Sequence, residues 1–180
     1  EEQIEMRDDL NPATVAFYKE LGYLPEGLVN YLGRLGWSLD DHSEIIPLPE
    51  MIKNFSLERV NNSSASFDPD KLFWVAGEYM KALPAEKKIE GCIPFLQRAS
   101  LMDTPPKPFQ METLKKVVIA SGDRLKLYSD ILLYGAPFFR KEPDYDPKSL
   151  TKRVGKEGVP LLLKEFSEVL KNLEDFEVTR

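Results

Sequence analysis

The sequence predicts an all-α protein made of two helical subdomains. Cap residues followed by proline recur along the chain, and apolar residues fall at i, i+3, i+4 and i+7. Strand-like alternation is scarce, and residues 43–47 are the best short candidate for a strand. A proline-rich break over residues 102–108 predicts a joint between two helical layers.

Two helices are expected before residue 37. Asn11-Pro12 is typical of an N-cap followed by proline at the first helical position, and Gly22 supplies a left-handed stop. Pro25 then opens a second helix, which Gly36 closes. The predicted inward face of that helix consists of Leu28, Tyr31, Leu32 and Leu35.

Asp68-Pro69 repeats the cap-and-proline signal and predicts a longer helix, and Pro84 begins the next one. The helix after Pro84 places Cys92 on its apolar stripe with Ile89, so we expect a buried, inert thiol. The stripe of the helix after Pro69 consists of Leu72, Val75, Ala76, Tyr79, Met80 and Leu83.

The second half is also expected to be helical. Helices are predicted over residues 111–121 and 123–134, followed by an aromatic corner at residues 137–139. An acidic, turn-prone stretch over residues 142–147 predicts a surface loop. A last pair of helices is predicted at about residues 148–156 and 159–173.

Composition bounds the class of protein. A single cysteine excludes an internal disulfide framework, and no apolar run approaches the roughly 20 residues that cross a bilayer. The first residue is not methionine, so we expect a piece of a longer protein. The net charge of −6 argues against a wholly basic nucleic-acid module, although residues 107–126 carry a local net charge of +3.

Signatures of catalysis are missing from the sequence. His42 is the single histidine and lies in a polar turn, where a solvated role is expected and a metal site would need further ligands. No glycine-rich phosphate loop or nucleophile elbow occurs. Carboxylate pairs such as those at residues 8–9 and 40–41 are expected in exposed turns. The residues alone therefore indicate a helical domain without a catalytic or metal centre.

Several blocks nevertheless resemble one family. Residues 22–38, beginning Gly-Tyr-Leu-Pro-Glu-Gly and ending Gly-Trp-Ser, and residues 67–74, Phe-Asp-Pro-Asp-Lys-Leu-Phe-Trp, resemble bacterial-type glutamyl-tRNA synthetases just after the ATP-handling loop. Residues 122–130 are similar to the helix that opens the anticodon-side bundle of that family. The resemblance extends from about Ala13 to Phe176 and departs from the family at Ala76 and Glu78.

The resemblance implies a division of labour. Residues 1–103 would form the stem-contact helical region, and residues 104–180 the first part of the anticodon-binding helical cage. The full-length protein would attach glutamate to its tRNA using ATP and Mg²⁺. Neither ATP motif of the family occurs here, so this chain alone is expected to be inactive and to hold no cofactor. We expect a cytoplasmic monomer that binds glutamate-acceptor tRNA, without membrane or DNA partners.

The resemblance also suggests where tRNA would be bound. Lys71 and Arg124 rank highest because they lie inside matching motifs, although a solvated surface charge is the simpler reading of each cation. Trp37 and Trp74 could stack on bases, but core packing is the expected role of both. The candidate tRNA-binding residues are Arg34, Lys53, Lys71, Arg98, Lys115, Lys116, Arg124 and Lys126.

Two alternatives remain open at this stage. One is a stand-alone helical interaction module descended from a synthetase, which apolar surface left exposed after folding would favour. The other is a non-discriminating enzyme that also charges glutamine tRNA. A glutaminyl enzyme proper fits less well because its anticodon domains are β-barrels. The truncated paralogue that modifies a tRNA base has no anticodon domain, which this chain is expected to have.

Overall fold

The structure is a computed structural model that describes residues 11–40, 42–61, 65–140, 142 and 145–172. These residues form helices and contain no strand, so the all-α fold class is confirmed. The helices are Val15–Leu21 (α1), Pro25–Arg34 (α2), Leu48–Asn54 (α3), Pro69–Ala82 (α4), Ala85–Arg98 (α5), Pro108–Ser121 (α6), Asp130–Phe139 (α7), Pro147–Arg153 (α8) and Val159–Lys171 (α9). Two 3₁₀ turns, Leu57–Arg59 and Gly122–Arg124, lie between them.

The chain divides by compactness into a first unit, Glu1–Phe139, and a second unit, Arg140–Arg180. Inside the first unit α2 packs against α4, while α5, α6 and α7 pack against one another. The helices on either side of the proline-rich break thus belong to one compact unit. The expected functional division between residues 103 and 104 is a different kind of boundary and stays a prediction.

Helix α4 forms as its sequence indicates. The Asp68 carboxylate accepts hydrogen bonds from the backbone N–H groups of Asp70 at 2.9 Å and Lys71 at 3.1 Å. Pro69 occupies the first helical position, where its missing N–H costs nothing. The buried residues of α4 all come from the predicted stripe: Leu72, Val75, Ala76 and Met80.

A single core joins α4 to the helices that follow it. Met80 from α4 lies with Cys92 and Leu96 from α5 and with Leu114 from α6, each at most 1% exposed. Ile131 from α7 completes this cluster. Burial of each such side chain contributes about 1.5–3 kcal/mol. The predicted burial of Cys92 is confirmed.

The turn between α1 and α2 is fastened to the segment before α7. Gly22 ends α1 with φ of 85°, and a Cβ there would lie 2.9 Å from both the Phe95 ring and the backbone nitrogen of Ser129. Its carbonyl accepts the N–H of Tyr128 at 3.1 Å. The Ser129 hydroxyl donates to the carbonyl of Leu21 at 2.6 Å. Only glycine suits this close approach.

Several sequence predictions in the first unit are wrong. Helix α2 ends at Arg34 with Leu35 as its C-cap, so Gly36 follows the helix end as expected, but Leu32, expected inside, is 44% exposed. Residues 43–47 are extended but pair with no strand among the described residues. The single helix expected over residues 123–134 is interrupted: residues 122–124 form a 3₁₀ turn, and α7 begins at Asp130. The Asp130 carboxylate accepts the N–H groups of Lys126 at 2.8 Å and Leu127 at 2.9 Å, which therefore do not bond to helical carbonyls.

The two tryptophans differ in burial. Trp37 is 3% exposed and packs in a small cluster with Ile46 and Met51, so the expected core role is confirmed for it. Trp74 is 43% exposed, so the same expectation is wrong for Trp74. The indole lies on the side of α4 opposite the buried stripe.

The second unit contains α8 and α9. Asp146 begins α8 by accepting the N–H of Ser149 at 2.7 Å, and Gly158 precedes α9 with φ of 81°. No side chain of either helix is buried. The predicted helices agree with these within a few residues, although residue 173, the expected end of the second, lies outside the described residues. Among the described helices, none is both long and apolar enough to span a bilayer.

Candidate nucleic-acid interface

One surface of the first unit combines exposed aromatic rings with cations. We call it the α4–loop surface and define it by Phe73, Trp74 and Lys81 on α4 and by Arg124 and Lys126 in the segment after α6. The Lys126 ammonium lies 4.6 Å from the centroid of the Phe73 ring. Lys81 pairs with Asp123 of the same segment, with 3.4 Å between Nζ and Oδ2. Residues 123–126 therefore run along the exposed side of α4.

Two residues, Gly77 and Asp130, position this segment. A Cβ on Gly77 would lie 3.2 Å from the Cγ and Cδ atoms of Lys126, so glycine lets the lysine stem lie close against α4. Asp130 fixes the backbone at Lys126 and Leu127. Burial raises the pKa of the Asp130 carboxyl, although those two N–H groups and the Lys126 charge favour its charged form.

The aromatic rings of this surface are accessible to a ligand. Phe73 is 36% exposed and Trp74 is 43% exposed. One face of Phe73 contacts Lys126, while Trp74 has no ring contact within the part of the chain that the structure describes. Proteins commonly bind single-stranded nucleic acids with exposed rings beside lysine and arginine, because bases stack on the rings and phosphates pair with the cations.

Two of the predicted cations are instead paired with the Glu44 carboxylate, in what we call the Glu44 ion-pair cluster. The Arg34 guanidinium lies 3.2 Å from Oε1 of Glu44, and Lys71 lies 3.1 Å from Oε2 of the same carboxylate. The backbone carbonyl of Glu44 accepts a hydrogen bond from Asn30 at 2.9 Å. The Arg34 side chain is only 16% exposed, with Nε and Nη1 buried and without a hydrogen-bond partner. Glu44 thus neutralises cations that the sequence assigns to tRNA.

The remaining predicted cations are dispersed. Arg98 pairs with Glu20 and lies 4.5 Å over the Phe95 ring. Lys116 pairs with Glu112 at 2.9 Å, one turn away on α6. Lys53 and Lys115 are exposed on α3 and α6. Of the predicted residues, the structure brings Arg124 and Lys126 together on the α4–loop surface. The role of all eight in tRNA binding stays a prediction.

Sequence reasoning missed parts of this surface and a second cationic one. Phe73 and Lys81 were not among the candidates. Phe73 lies one helical turn from Gly77, and Lys81 lies two turns from Trp74, both on the exposed side of α4. Residues 147–156 of the second unit contain four cations and no acid, a signal readable from the sequence alone. These cations are Lys148, Lys152, Arg153 and Lys156, and all are exposed.

An apolar groove in the first unit lacks groups that could perform catalysis. Its volume is about 820 Å³, and its lining includes Leu28, Leu32 and Phe67. The titratable groups in that lining are Tyr18 and Tyr23, and burial raises the pKa of both phenols. None of its lining residues is a carboxylate, an amine or an imidazole. The lining therefore contains none of the carboxylate, amine or imidazole groups that commonly act as a general base, and burial favours the protonated form of its phenols.

The other candidate reactive groups are equally inert. Burial raises the pKa of the Cys92 thiol to about 12, so the nucleophilic thiolate is suppressed. His42 is exposed, and its backbone N–H donates to Asp40 at 2.8 Å in a polar turn, as expected. Among the described residues, no group of three potential ligands could hold a metal ion. What this part of the chain offers chemically is a surface for binding.

Comparison with protein families identifies the class. Residues 87–180 match the family described as anticodon binding domain, and residues 3–74 match the catalytic domain of class I tRNA synthetases of the E and Q type. The chain therefore belongs to the anticodon-binding-domain family of class I tRNA synthetases. The catalytic-domain match includes much of the region that the sequence assigns to tRNA stem contact.

Individual relatives of the chain are glutamate–tRNA ligases. "Glutamate–tRNA ligase 1" of Caldanaerobacter subterraneus subsp. tengcongensis is 37% identical over 163 residues, covering 91% of this chain and 33% of the relative. "Glutamate–tRNA ligase" of Moorella thermoacetica is 35% identical over 163 residues, covering 91% and 33%. The crystal structure of a glutamate tRNA ligase from Elizabethkingia meningosepticum in complex with its amino acid matches with a TM-score of 0.71 at 28% identity, covering 87% and 30%. The chain thus spans about a third of the curated relatives it matches.

Proposed function

We propose that the chain is the tRNA-binding part of a glutamate–tRNA ligase, an enzyme that attaches glutamate to its tRNA using ATP. The observation that carries the proposal is the order of the two family matches, a class I synthetase segment followed by an anticodon-binding domain, in a chain similar to glutamate–tRNA ligases. The full-length protein would act in the cytoplasm as a monomer.

The α4–loop surface is the part of the first unit that suits RNA best. Transfer RNA is recognised through its shape, its backbone and its unstacked bases, which requires a rigid helical support with cations on one face. Lys126 supplies a cation next to the Phe73 ring, and exposed Arg124 lies two residues before it. The hydrogen bonds that Asp130 accepts from Lys126 and Leu127 hold that segment in place. The net charge of −6 does not oppose this, because phosphate contacts depend on local charge.

We expect neither ATP nor Mg²⁺ to bind this part of the chain. The described residues include no group of three possible metal ligands, and the sequence has no glycine-rich phosphate loop. The role that these residues support is therefore the binding of RNA. We expect the isolated chain to bind tRNA without attaching glutamate to it.

The proposal is tested by titrating a labelled glutamate-acceptor tRNA transcript into the chain at about 50 mM and about 200 mM salt. We expect affinity to fall steeply with salt. Lys126→Ala and Arg124→Ala should each reduce the slope of log affinity against log salt by about 0.7–0.9. Lys19→Ala, which removes the same charge from α1, is the matched control and should leave the slope unchanged. Absent or salt-independent binding would contradict the proposal.

A second candidate function is favoured by α9. Its apolar side chains are 40–63% exposed, as a helical interaction module would require. They are Leu161, Leu162, Leu163, Phe166, Val169 and Leu170. This second candidate is the better one if the chain does not bind tRNA and its mass in light scattering rises with concentration. Phe166→Ser should then abolish that rise. Whether a full-length enzyme would also charge glutamine tRNA is settled by offering it both acceptors.

A further inference from the structure

We propose that Trp74 is a stacking platform for one unpaired base of a bound RNA, with Lys126 and Arg124 holding the adjoining phosphates. The inference rests on the proposed function and names the contact through which part of the tRNA is held. It assigns to Trp74 a binding role in place of the core role that its residue type predicts.

The exposure of Trp74 is the first observation. A helical tryptophan in a small domain usually contributes its large ring to the core, as Trp37 does with 3% of its surface exposed. Trp74 leaves 43% of its surface to solvent. Its indole N–H is not among the buried unpaired groups, and no ring contact occupies its face among the described residues. The ring is therefore available to a planar ligand.

The charge around the ring favours a nucleotide over an apolar protein side chain. Phe73 next to it carries the Lys126 ammonium at 4.6 Å from its ring centroid, and exposed Arg124 precedes Lys126 by two residues with no ion-pair partner in the described part of the chain. Each base of an RNA strand adjoins phosphates, so an exposed indole next to Phe73 and its Lys126 ammonium offers partners for both parts of a nucleotide.

The acidic neighbours limit the platform to a short stretch of RNA. Asp70 and Glu78 lie one helical turn before and after Trp74 on α4. Carboxylates in those positions repel a phosphate track that follows the helix axis. A base that leaves its strand can reach the indole from the side of Lys126, whereas a continuous duplex would meet the acids. The surface is therefore built for an unstacked base.

Selective quenching of tryptophan fluorescence tests the inference without any substitution. The chain has two tryptophans, and Trp37 is buried, so iodide at constant ionic strength quenches the emission of Trp74. Saturation with the glutamate-acceptor tRNA transcript should remove most of this iodide-accessible emission. A blunt RNA duplex of equal charge should leave it in place. Emission that stays fully quenchable in the tRNA complex would overturn the inference.

Substitutions provide the second readout. Trp74→Leu should weaken tRNA binding about tenfold at both salt concentrations with an unchanged salt slope, because stacking does not release counterions. Trp74→Phe should recover most of the affinity. Phe109→Leu is the matched control, because Phe109 is also an exposed aromatic residue, 64% exposed on α6, and should leave affinity unchanged.

The outcomes separate this inference from the proposed function. Salt-dependent tRNA binding that Trp74→Leu leaves intact overturns the stacking role and leaves the proposed function standing. Equal weakening of tRNA and duplex binding by Trp74→Leu also overturns the base-stacking role. No tRNA binding by the unsubstituted chain overturns both.

Discussion

Asn30→Ala should destabilise the first unit more than any surface change, because Asn30 holds an extended segment against two helices. Its side chain is completely buried. Its Oδ1 accepts the N–H of Ile46 at 2.6 Å and a hydrogen bond from the Tyr79 hydroxyl at 3.2 Å, while its Nδ2 donates to the carbonyl of Glu44 at 2.9 Å. Alanine provides none of these partners.

The magnitude follows from the groups left behind. The buried N–H of Ile46 loses its acceptor, which costs about 2 kcal/mol, and the partly buried carbonyl of Glu44 loses a donor, at about 1 kcal/mol. The Tyr79 hydroxyl keeps the Ile46 carbonyl at 3.0 Å as a partner. We therefore expect a loss of about 3 kcal/mol in the free energy of unfolding, offset by about 0.5 kcal/mol from the better helix propensity of alanine.

Urea unfolding followed by tryptophan emission measures this loss, because both tryptophans lie in the first unit. Tyr79→Phe is the matched control, since it removes only a hydroxyl from the same network and should cost about 1 kcal/mol. A change below about 0.5 kcal/mol for Asn30→Ala, at an unchanged urea dependence, would refute the reasoning. It would mean that the segment at Ile46 is not held by Asn30.

Three further predictions concern charge and reactivity. With its pKa raised to about 12, the Cys92 thiol should react with a disulfide reagent at pH 8 about a thousandfold more slowly in the folded chain than in urea; equal rates would contradict its burial. Burial raises the pKa of Asp130 above 3.8, so its contribution to stability is present at low pH and is lost as pH rises through the folded value. The difference in unfolding free energy between the native chain and Asp130→Asn should therefore fall as pH increases above about 3.8. Urea unfolding at several pH values measures this difference, and a difference that rises with pH would show a lowered pKa instead. Glu44→Gln should strengthen tRNA binding at low salt by releasing Lys71, whereas Glu50→Gln, the same charge change on α3, should not; equal effects in the titration would mean that net charge alone decides.

Local sequence signals predict helix α4 correctly, but the core role expected for Trp74 on this helix is wrong. The Asp68 cap and the apolar spacing predict both the start and the buried face of this helix. Trp74 follows Leu72 by two residues, about 200° around the helix axis, so the same spacing places it on the exposed side. The residue type suggested the core, and the helical position predicted the surface. Periodicity was the better guide because it reports which face the backbone turns inward.

The interruption before α7 also had a readable cause. The Asp130 carboxylate accepts the N–H groups of Lys126 and Leu127, and such a side-chain bond to nearby backbone competes with continuing one helix through residues 123–134. The Glu44 ion-pair cluster had no such local signal. Glu44 reaches Arg34 and Lys71, ten and 27 residues away, because the path of the segment after α2 brings it there. Local patterns do not encode the course of an irregular segment.

The hydrogen bonds that join Gly22 and Leu21 to Tyr128 and Ser129 connect the first expected functional region to the part of the second that lies in the same compact unit. Residues more than a hundred positions apart close this joint, so nearly the whole first unit must assemble before it forms. A chain that ended at residue 103 would lack the α6 and α7 side chains that bury Leu96 and Cys92. We expect such a polypeptide to aggregate. If both regions contact RNA as proposed, a substitution that weakens this joint would disturb both contacts, because residues of each region form it.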